Sequence, residues 1–560
     1  MRVMDVVARM LKQEGVDTLF CYPTTPIIEA AAEAGIRPVL CRQERVGVDM
    51  ANGYARVRNG KPFGVFAMQY GPGAENAFSG IATAYSDSSP VLLLPLGHRR
   101  EVAQVWPTFR SSRAYAPVTK SVEEIVDPGE IVNVMRRSFG QLRNGRLGPV
   151  MVEFPMDLVE QELGDIDIRT RGVRHTRSAG DARDIDDAAA LLLAAECPII
   201  QAGQGIFYAE AHDELRELAE LAQLPVLTTV EGKSVFPENH PLALGTSGAV
   251  LTGHGKHFLE QADLVFAIGS SLTRHHLTNR VFPVAEKRVI HAVADARDLY
   301  KAYETDVAIL GDAKLVLRQL IDAVRDRLGS RRPGPERAQQ VQALKKAWLA
   351  DWQAKLQSSE TPITPYRVID AFMKAIPSAD AIVTHDSGSP RDQILPFYEA
   401  TTPHGYLGWG KSHALGTGLG LTIGAKIAAP DKFCVNFMGD AAFGMTGLDF
   451  ETSVRVDAPI CTVVLNNATM AVETKNMALS HSLYRTRDIG GSYANIARDL
   501  GGIGERIENP AELGAAFERA REHNRNGRPV LLEVMTSEER EFSFRRNSFA
   551  ALRESQRAKA

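Results

Sequence analysis

Cysteine is scarce: five residues in 560 (Cys21, Cys41, Cys197, Cys434 and Cys461), with no CxxC and no His-rich spacing beside them. Neither a disulfide framework nor a zinc site is suggested, and a reducing compartment fits. Long apolar runs are lacking too; none approaches the ~18 residues of a membrane span. Neither sign of charge is in surplus. Lys plus Arg number 64 against 68 for Asp plus Glu, a net charge of -4, so no global field supports binding to nucleic acid or an anionic membrane. No repeat of ~20–50 residues recurs, which argues against a solenoid or propeller. What is present is globular: 44% hydrophobic and 24% charged residues, values that exclude a disordered chain. The opening MRVMDVVARMLKQEGVDTLF lacks a signal-peptide core and cleavage site. It reads as an amphipathic helix running into a strand, and a cytoplasmic location is expected. Glycine stands out, with 46 residues, and its positions matter more than its number.

Short apolar runs alternate with helical patterns along the whole chain, as in PFGVFAMQ (62–69), PVLLLPLG (90–97), GPVMVEFP (148–155), CPIIQAG (197–203), DLVFAIGS (263–270), AIVTHDS (381–387), KFCVNFMGD (432–440) and ICTVVLNN (460–467). That alternation argues for parallel sheets wrapped by helices. At ~150 residues per domain the length allows three or four domains. Two polar stretches, 164–184 and 329–362, read as connections; the second starts with Pro and Gly and continues as a charged helix. The expected architecture is α/β, with three doubly wound parallel-sheet domains at 1–163, 185–328 and 363–537, then a basic tail at 538–560.

The densest glycine cluster is GWGKSHALGTGLGLTIGAKIAAPDKFCVNFMGDAAFG (408–444). An apolar strand, Phe433 to Met438, ends in Gly439-Asp440, and a second, Ile460 to Leu465, ends in Asn466-Asn467. Both polar ends would meet at the carboxyl edge of one parallel sheet, where open α/β folds bind ligands. A carboxylate and an amide oxygen are hard donors suited to Mg²⁺ carrying phosphates. The small residues Ala441 and Ala442 would let backbone amides approach a diphosphate. Taken singly, Asp440 could cap a helix and Asn466-Asn467 could form a turn; the two together at this spacing point to a site.

Ile423-Gly424, Pro430, Val435, Phe437 and Gly439-Asp440-Ala441-Ala442, completed by Asn466-Asn467, resemble the signature of thiamine-diphosphate (ThDP) enzymes. The resemblance implies that Asp440 and Asn467 ligate Mg²⁺ through side chains and Thr469 through its carbonyl. In the first block, RQERVGVDMANGYAR (42–56) followed by GPGAEN (71–76) resembles the pyrimidine-binding domain of the acetolactate (acetohydroxyacid) synthase-like branch. Glu44 then stands at the family's catalytic glutamate, a buried acid that promotes the imino tautomer of the aminopyrimidine and so deprotonation of the thiazolium C2. The third block becomes the diphosphate-binding domain. The middle block resembles the domain that holds FAD or ADP in family members, although its GxG (Gly203, Gly205) is no dinucleotide fingerprint and its ligand stays unassigned.

The same resemblance implies further roles. Leu415 aligns with the apolar residue that props ThDP in its bent form, with a plain core leucine as the competing reading. Gly388 and Ser389 fall where the diphosphate is contacted, as do Gly439, Ala441 and Ala442. Gln69 and Tyr70 precede the GPG turn, where relatives place substrate-facing groups. Glu473 lies six residues after Asn467, where pyruvate decarboxylase-like members carry a catalytic acid; a solvated helix face is the alternative. The first block has no adjacent His-His pair, which occurs instead at His275-His276. The chain also departs from the family with GDA in place of GDG, and with NNATMAVETKN where many members have NNGxxG.

The implied chemistry is the making or breaking of a C–C bond next to a carbonyl, with a 2-keto acid, 2-hydroxy ketone or acyl-CoA as substrate. An acetolactate synthase-like carboligase leads. A 2-hydroxyacyl-CoA lyase or oxalyl-CoA decarboxylase-like lyase is the alternative, cued by the GDxAFG form and by Arg545, Arg546, Arg553, Arg557 and Lys559 in the tail. A homodimer or homotetramer with ThDP between subunits is implied as well. A rival comes from Gly405-Tyr-Leu-Gly-Trp-Gly410-Lys411-Ser412, which satisfies GxxxxGK[ST]. The preceding EATTPH is not a buried strand, however, and a P-loop is launched from one. A catalytically silent ThDP-fold protein is disfavoured by the presence of Glu44, Asp440 and Asn467 together.

Overall fold

The computed structural model describes residues 1–23, 25–164, 166–168, 172–274, 287–329 and 334–543. Three six-stranded sheets, parallel throughout, follow one another along the chain. In the first, β1 (Thr18–Cys21), β2 (Arg37–Leu40), β3 (Gly64–Met68), β4 (Val91–Gly97), β5 (Ser121–Glu124) and β6 (Val150–Pro155) lie in the order β2-β1-β3-β4-β6-β5. In the second, β7 (Pro198–Ala202), β8 (Val226–Thr228), β9 (Ala243–Thr246), β10 (Leu264–Ile268), β11 (Arg288–Val293) and β12 (Val307–Leu310) lie as β12-β11-β10-β7-β8-β9. The third holds β13 (Ala381–His385), β14 (Tyr406–Leu407), β15 (Phe433–Gly439), β16 (Cys461–Asn466), β17 (Ile503–Ile507) and β18 (Val530–Met535) as β14-β13-β15-β16-β18-β17. The first and third sheets thus share one topology. The middle sheet, counted from β9, runs 3-2-1-4-5-6, the order of dinucleotide-binding folds.

Every apolar run singled out in the sequence is a strand, and the central ones are buried along their full length. Helices on both faces explain why those runs read as continuous rather than alternating. The edge strands were less legible: β2 and β5 are short and half-exposed, and β14 has only two residues. The opening stretch is the helix Val3–Gln13 leading into β1. The charged helix after residue 334 is Glu336–Leu356, and it does more than connect. Its Trp348 and Trp352 pack on Phe397, with ring centroids 5.0 Å apart in each case, and join the third domain's core.

Much of the glycine cluster serves packing. The helix Glu44–Val57 of the first domain lies against Thr417–Ala428 of the third so closely that a Cβ at Gly53, Gly420 or Gly424 would collide with the facing backbone or Asp49. A single core cluster therefore runs through both domains, joining Phe20, Tyr54 and Phe66 to Leu407, Leu419, Ile423 and Ile460.

Candidate functional site

Asp440 follows directly on β15, and Asn467 on β16. Gly439 pairs with Leu465 across the two strands, so the acid and the amide emerge side by side at the carboxyl edge. Asp440 is 3% exposed. Its Oδ1 accepts the Ala441 amide at 2.7 Å, and its Oδ2 makes no hydrogen bond. Burial raises its pKa, while the N–H groups of Ala441, Ala468 and Asn467 oppose that rise. Asn467 Oδ1 accepts the Thr469 amide at 3.2 Å. A small cavity of about 80 Å³ opens here, walled by Asp440, Asn467 and Thr469 together with Gly388, Ser389, Leu415, Gly439, Ala441 and Ala442. Nine of the residues singled out in the sequence thus meet at one place.

The loops around that cavity are held by a residue the sequence reading passed over. Asp386, fully buried at the end of β13, accepts the backbone N–H groups of Ser387 (2.8 Å), Gly416 (2.8 Å) and Gly418 (2.9 Å). Even with three donors its pKa is pushed up to about 6, because burial outweighs them. A strand-terminal Asp directly before Ser-Gly was the available signal. Gly388 has φ +92° and nothing within 4 Å of a would-be Cβ, so glycine is required there by backbone conformation and leaves open space. Leu415 lines the cavity, and its carbonyl accepts from Arg45 of the first domain.

The first domain gathers the rest at its own carboxyl edge. Glu44 opens the helix Glu44–Val57, is 5% exposed and accepts from Asn76 Nδ2 at 3.3 Å. Burial raises its pKa against that hydrogen bond. Gln69 and Tyr70 follow β3. Gly71, with φ +55°, turns the chain into the helix Pro72–Ser86, and a Cβ on Gly73 would lie 3.0 Å from Gln69 Cβ and 3.5 Å from Glu44 Oε1. Tyr70 packs on His98 at a ring-centroid distance of 5.0 Å. None of these residues lines the Asp440 cavity. Glu473 does not line it either. It sits in a single turn, Ala471–Glu473, rather than on a helix face, and accepts from Asn476 at 3.0 Å; Ala471 and Val472 reach the cavity wall instead.

A second cavity, about 510 Å³, lies between the middle domain, at the carboxyl ends of β7, β10, β11 and β12, and the first domain, which supplies Lys61, Arg143 and Arg146 among others. Gly203 and Gly205 pack there on Gly269, which accounts for the GxG spacing. Gln201, fully buried, offers both side-chain polar atoms without a partner, and Glu231 is 2% exposed. Lys411 of the P-loop-like pattern reaches this cavity, 3.7 Å from Glu231. Its neighbour Trp409 instead donates to the His385 carbonyl at 2.8 Å, and no strand precedes Gly405. The pattern does not form a phosphate loop. His275-His276 and the tail cations from Arg545 onward lie outside the described residues. No helix among those described is long and apolar enough to cross a membrane.

Comparison with known proteins gives three family-model matches. Residues 1–114 match the thiamine pyrophosphate enzyme N-terminal TPP binding domain, 185–320 the central domain and 386–534 the C-terminal TPP binding domain. The chain is 30% identical to a probable acetolactate synthase large subunit of Methanococcus aeolicus, over 92% of this chain and 89% of that one. It is 28% identical to the acetolactate synthase isozyme 3 large subunit of Escherichia coli (strain K12), over 95% and 94% respectively. It is also 30% identical to the sulfoacetaldehyde acetyltransferase of Castellaniella defragrans, over 93% and 90%.

Proposed function

Because the chain belongs to the thiamine-diphosphate enzyme family, in its acetolactate synthase-like branch, we propose that it makes or breaks a C–C bond next to a carbonyl with Mg²⁺ as the cofactor's anchor. Decarboxylation of a 2-keto acid and transfer of the remaining fragment to a second carbonyl is the leading reaction. The observation that carries the reading is Asp440: a buried carboxylate with one oxygen accepting a local amide and the other without a hydrogen bond, in the wall of a cavity it shares with Asn467 and Thr469. One carboxylate and two neutral oxygens suit a hard divalent cation that keeps the remaining positions for phosphate and water. Asp440 and Asn467 would hold it by side chains and Thr469 by its carbonyl.

When bound, thiamine diphosphate supplies a carbon nucleophile and an electron sink. The chain supplies position and protons. Gly388, Ser389, Gly439, Ala441 and Ala442 offer a diphosphate open backbone, and Leu415 walls the side toward the first domain. Glu44, its proton affinity raised by burial, would exchange a proton with a ring nitrogen of the cofactor. Gln69 and Tyr70 face the same edge and would orient substrate, with Glu473 as a nearby acid. One chain leaves Glu44 outside the Asp440 cavity, while Phe78 and Tyr85 on the helix that starts at the first half-site, and Met445 and Leu448 just after Asp440, stay exposed. A homodimer or homotetramer that closes the site between subunits accounts for both features.

The domain limits 1–163, 185–328 and 363–537 stand as part of this proposal. So does a nucleotide, FAD or ADP, in the middle cavity, where the classic strand order and the buried Gln201 and Glu231 suit a hydrogen-bonding ligand. The lyase reading keeps the Asp440-Ala-Ala-Phe443-Gly444 form as its cue. A panel of pyruvate, 2-ketobutyrate, benzoylformate, benzoin and 2-hydroxyacyl-CoA esters with ThDP and Mg²⁺ tests the proposal. Turnover of pyruvate or 2-ketobutyrate to a ligated product is expected. Turnover of acyl-CoA esters alone would transfer the assignment to the lyase, and stabilisation by ATP–Mg²⁺ but not ThDP–Mg²⁺ would refute both.

A further inference from the structure

β18 reads Val-Leu-Leu-Glu-Val-Met, with a carboxylate in the middle of an apolar strand. Glu533 is fully buried, and no cation forms an ion pair with it among the described residues. Burying an ionised group without compensation is costly, so its neighbours have to supply hydrogen bonds. Two do. Oε1 accepts from Asn466 Nδ2 at 2.8 Å, and Oε2 accepts the Ala494 backbone N–H at 2.9 Å.

The first contact fixes the turn that follows β16. With its amide nitrogen given to Glu533, Asn466 must turn its Oδ1 the other way, where it accepts the Ala468 N–H at 3.1 Å. Ala468 is held at φ +56°, a left-handed conformation that a non-glycine residue adopts only when its surroundings enforce it. That turn sets Asn467 and Thr469 in the cavity wall with Asp440 and brings the amides of Asn467 and Ala468 toward the Asp440 carboxylate. The second contact anchors the start of the helix Tyr493–Asp499. Tyr493 packs edge-on against Phe443, with centroids 5.4 Å apart, and Phe443 lies one turn beyond Asp440 on the same short helix. One carboxylate therefore braces both loops that carry the oxygen donors.

We propose that Glu533 is a positioning residue that presets the Asp440–Asn467–Thr469 oxygen set for a divalent cation, through Asn466 on one side and Tyr493–Phe443 on the other. This rests on the Mg²⁺ reading above. Asn466 and the Ala494 amide are both donors, and Glu533 serves both because it carries two acceptor oxygens. Glutamine at this position keeps the shape and forfeits one of the two contacts.

The test is Mg²⁺-dependent binding of ThDP to the full-length apoprotein, followed by tryptophan fluorescence or calorimetry and needing no turnover. Glu533→Gln should raise the half-saturating Mg²⁺ by about 10–100-fold, the range for groups that orient metal ligands, while ThDP affinity at saturating Mg²⁺ recovers. Asn466→Ala should shift the requirement in the same direction, and the double variant should fall short of the sum of the two single effects, since the two residues share the Glu533–Asn466 contact. If Glu533→Gln fails to fold, Asn466→Ala carries the test alone. An unchanged Mg²⁺ requirement in either folded variant, even with a lowered melting temperature, would overturn the proposal, because a merely structural residue behaves that way. Wild-type ThDP binding indifferent to Mg²⁺ would instead refute the metal reading on which it rests.

Discussion

The first and third sheets have the same strand order and end in opposite chemistry. At the third, the edge between β15 and β16 presents Asp440 and Asn467 beside open backbone at Gly388, which the proposed function assigns to a cation and a phosphate chain. At the first, the edge after β3 presents Glu44, Gln69 and Tyr70 around a glycine turn, with a carboxyl group whose pKa burial raises. Fold alone does not distinguish them. What differs is the handful of side chains at each edge, and on the proposed function those of the third edge serve as oxygen donors and Glu44 of the first as a proton carrier.

The largest effect should come from removing the donor at the third edge. Asp440→Ala is expected to weaken Mg²⁺-dependent ThDP binding by ~100-fold or more, beyond the effect of an outer-shell change; unchanged affinity in a titration would remove Asp440 from the metal site. At the first edge, Glu44→Gln should leave ThDP binding near wild type and cost ~10²–10⁴ in turnover, the range for a general acid–base group. If both variants lost binding alike, the division of labour between the edges would be wrong. Gly388→Ala imposes a Cβ at φ +92° and ψ −149°, backbone used almost only by glycine, and should cost ~1–3 kcal/mol of stability, read as a lower melting temperature. Loss of stability without any weakening of ThDP binding would mean that open backbone at 388 is not used. The smallest effect is expected for Lys411→Ala, which should leave ThDP affinity within about twofold, since Lys411 faces Glu231 in the middle cavity. A large loss would tie the middle cavity to the cofactor site.

The strands and the third edge were legible because buried parallel strands announce themselves as apolar runs and because GD and NN stand at their ends. The edge strands β2, β5 and β14 were not, being short and half-exposed or only two residues long. Within the glycine cluster, Gly420 and Gly424 serve the close crossing of two helices, which only the fold reveals. Asp386 and Glu533 were missed for a different reason. Each acts through backbone amides or one neighbouring side chain brought in from a distant segment, such as Gly416 and Gly418 onto Asp386 or Ala494 onto Glu533. Local spacing carries no trace of such partners. Glu44 and Asp440 were legible singly and their split between subunits was implied by the resemblance alone; the fold adds their separation, since within one chain Glu44 does not line the Asp440 cavity.

That separation is the central claim, and co-expression of Glu44→Gln with Asp440→Ala tests it most directly. Each variant alone should be nearly inactive. If the active site takes Glu44 from one subunit and Asp440 from another, mixed dimers carry one intact site in two, and random pairing should restore roughly a quarter of wild-type activity. No recovery, with mixed dimers demonstrated by differential tags, would contradict the account and place the whole site within a single chain.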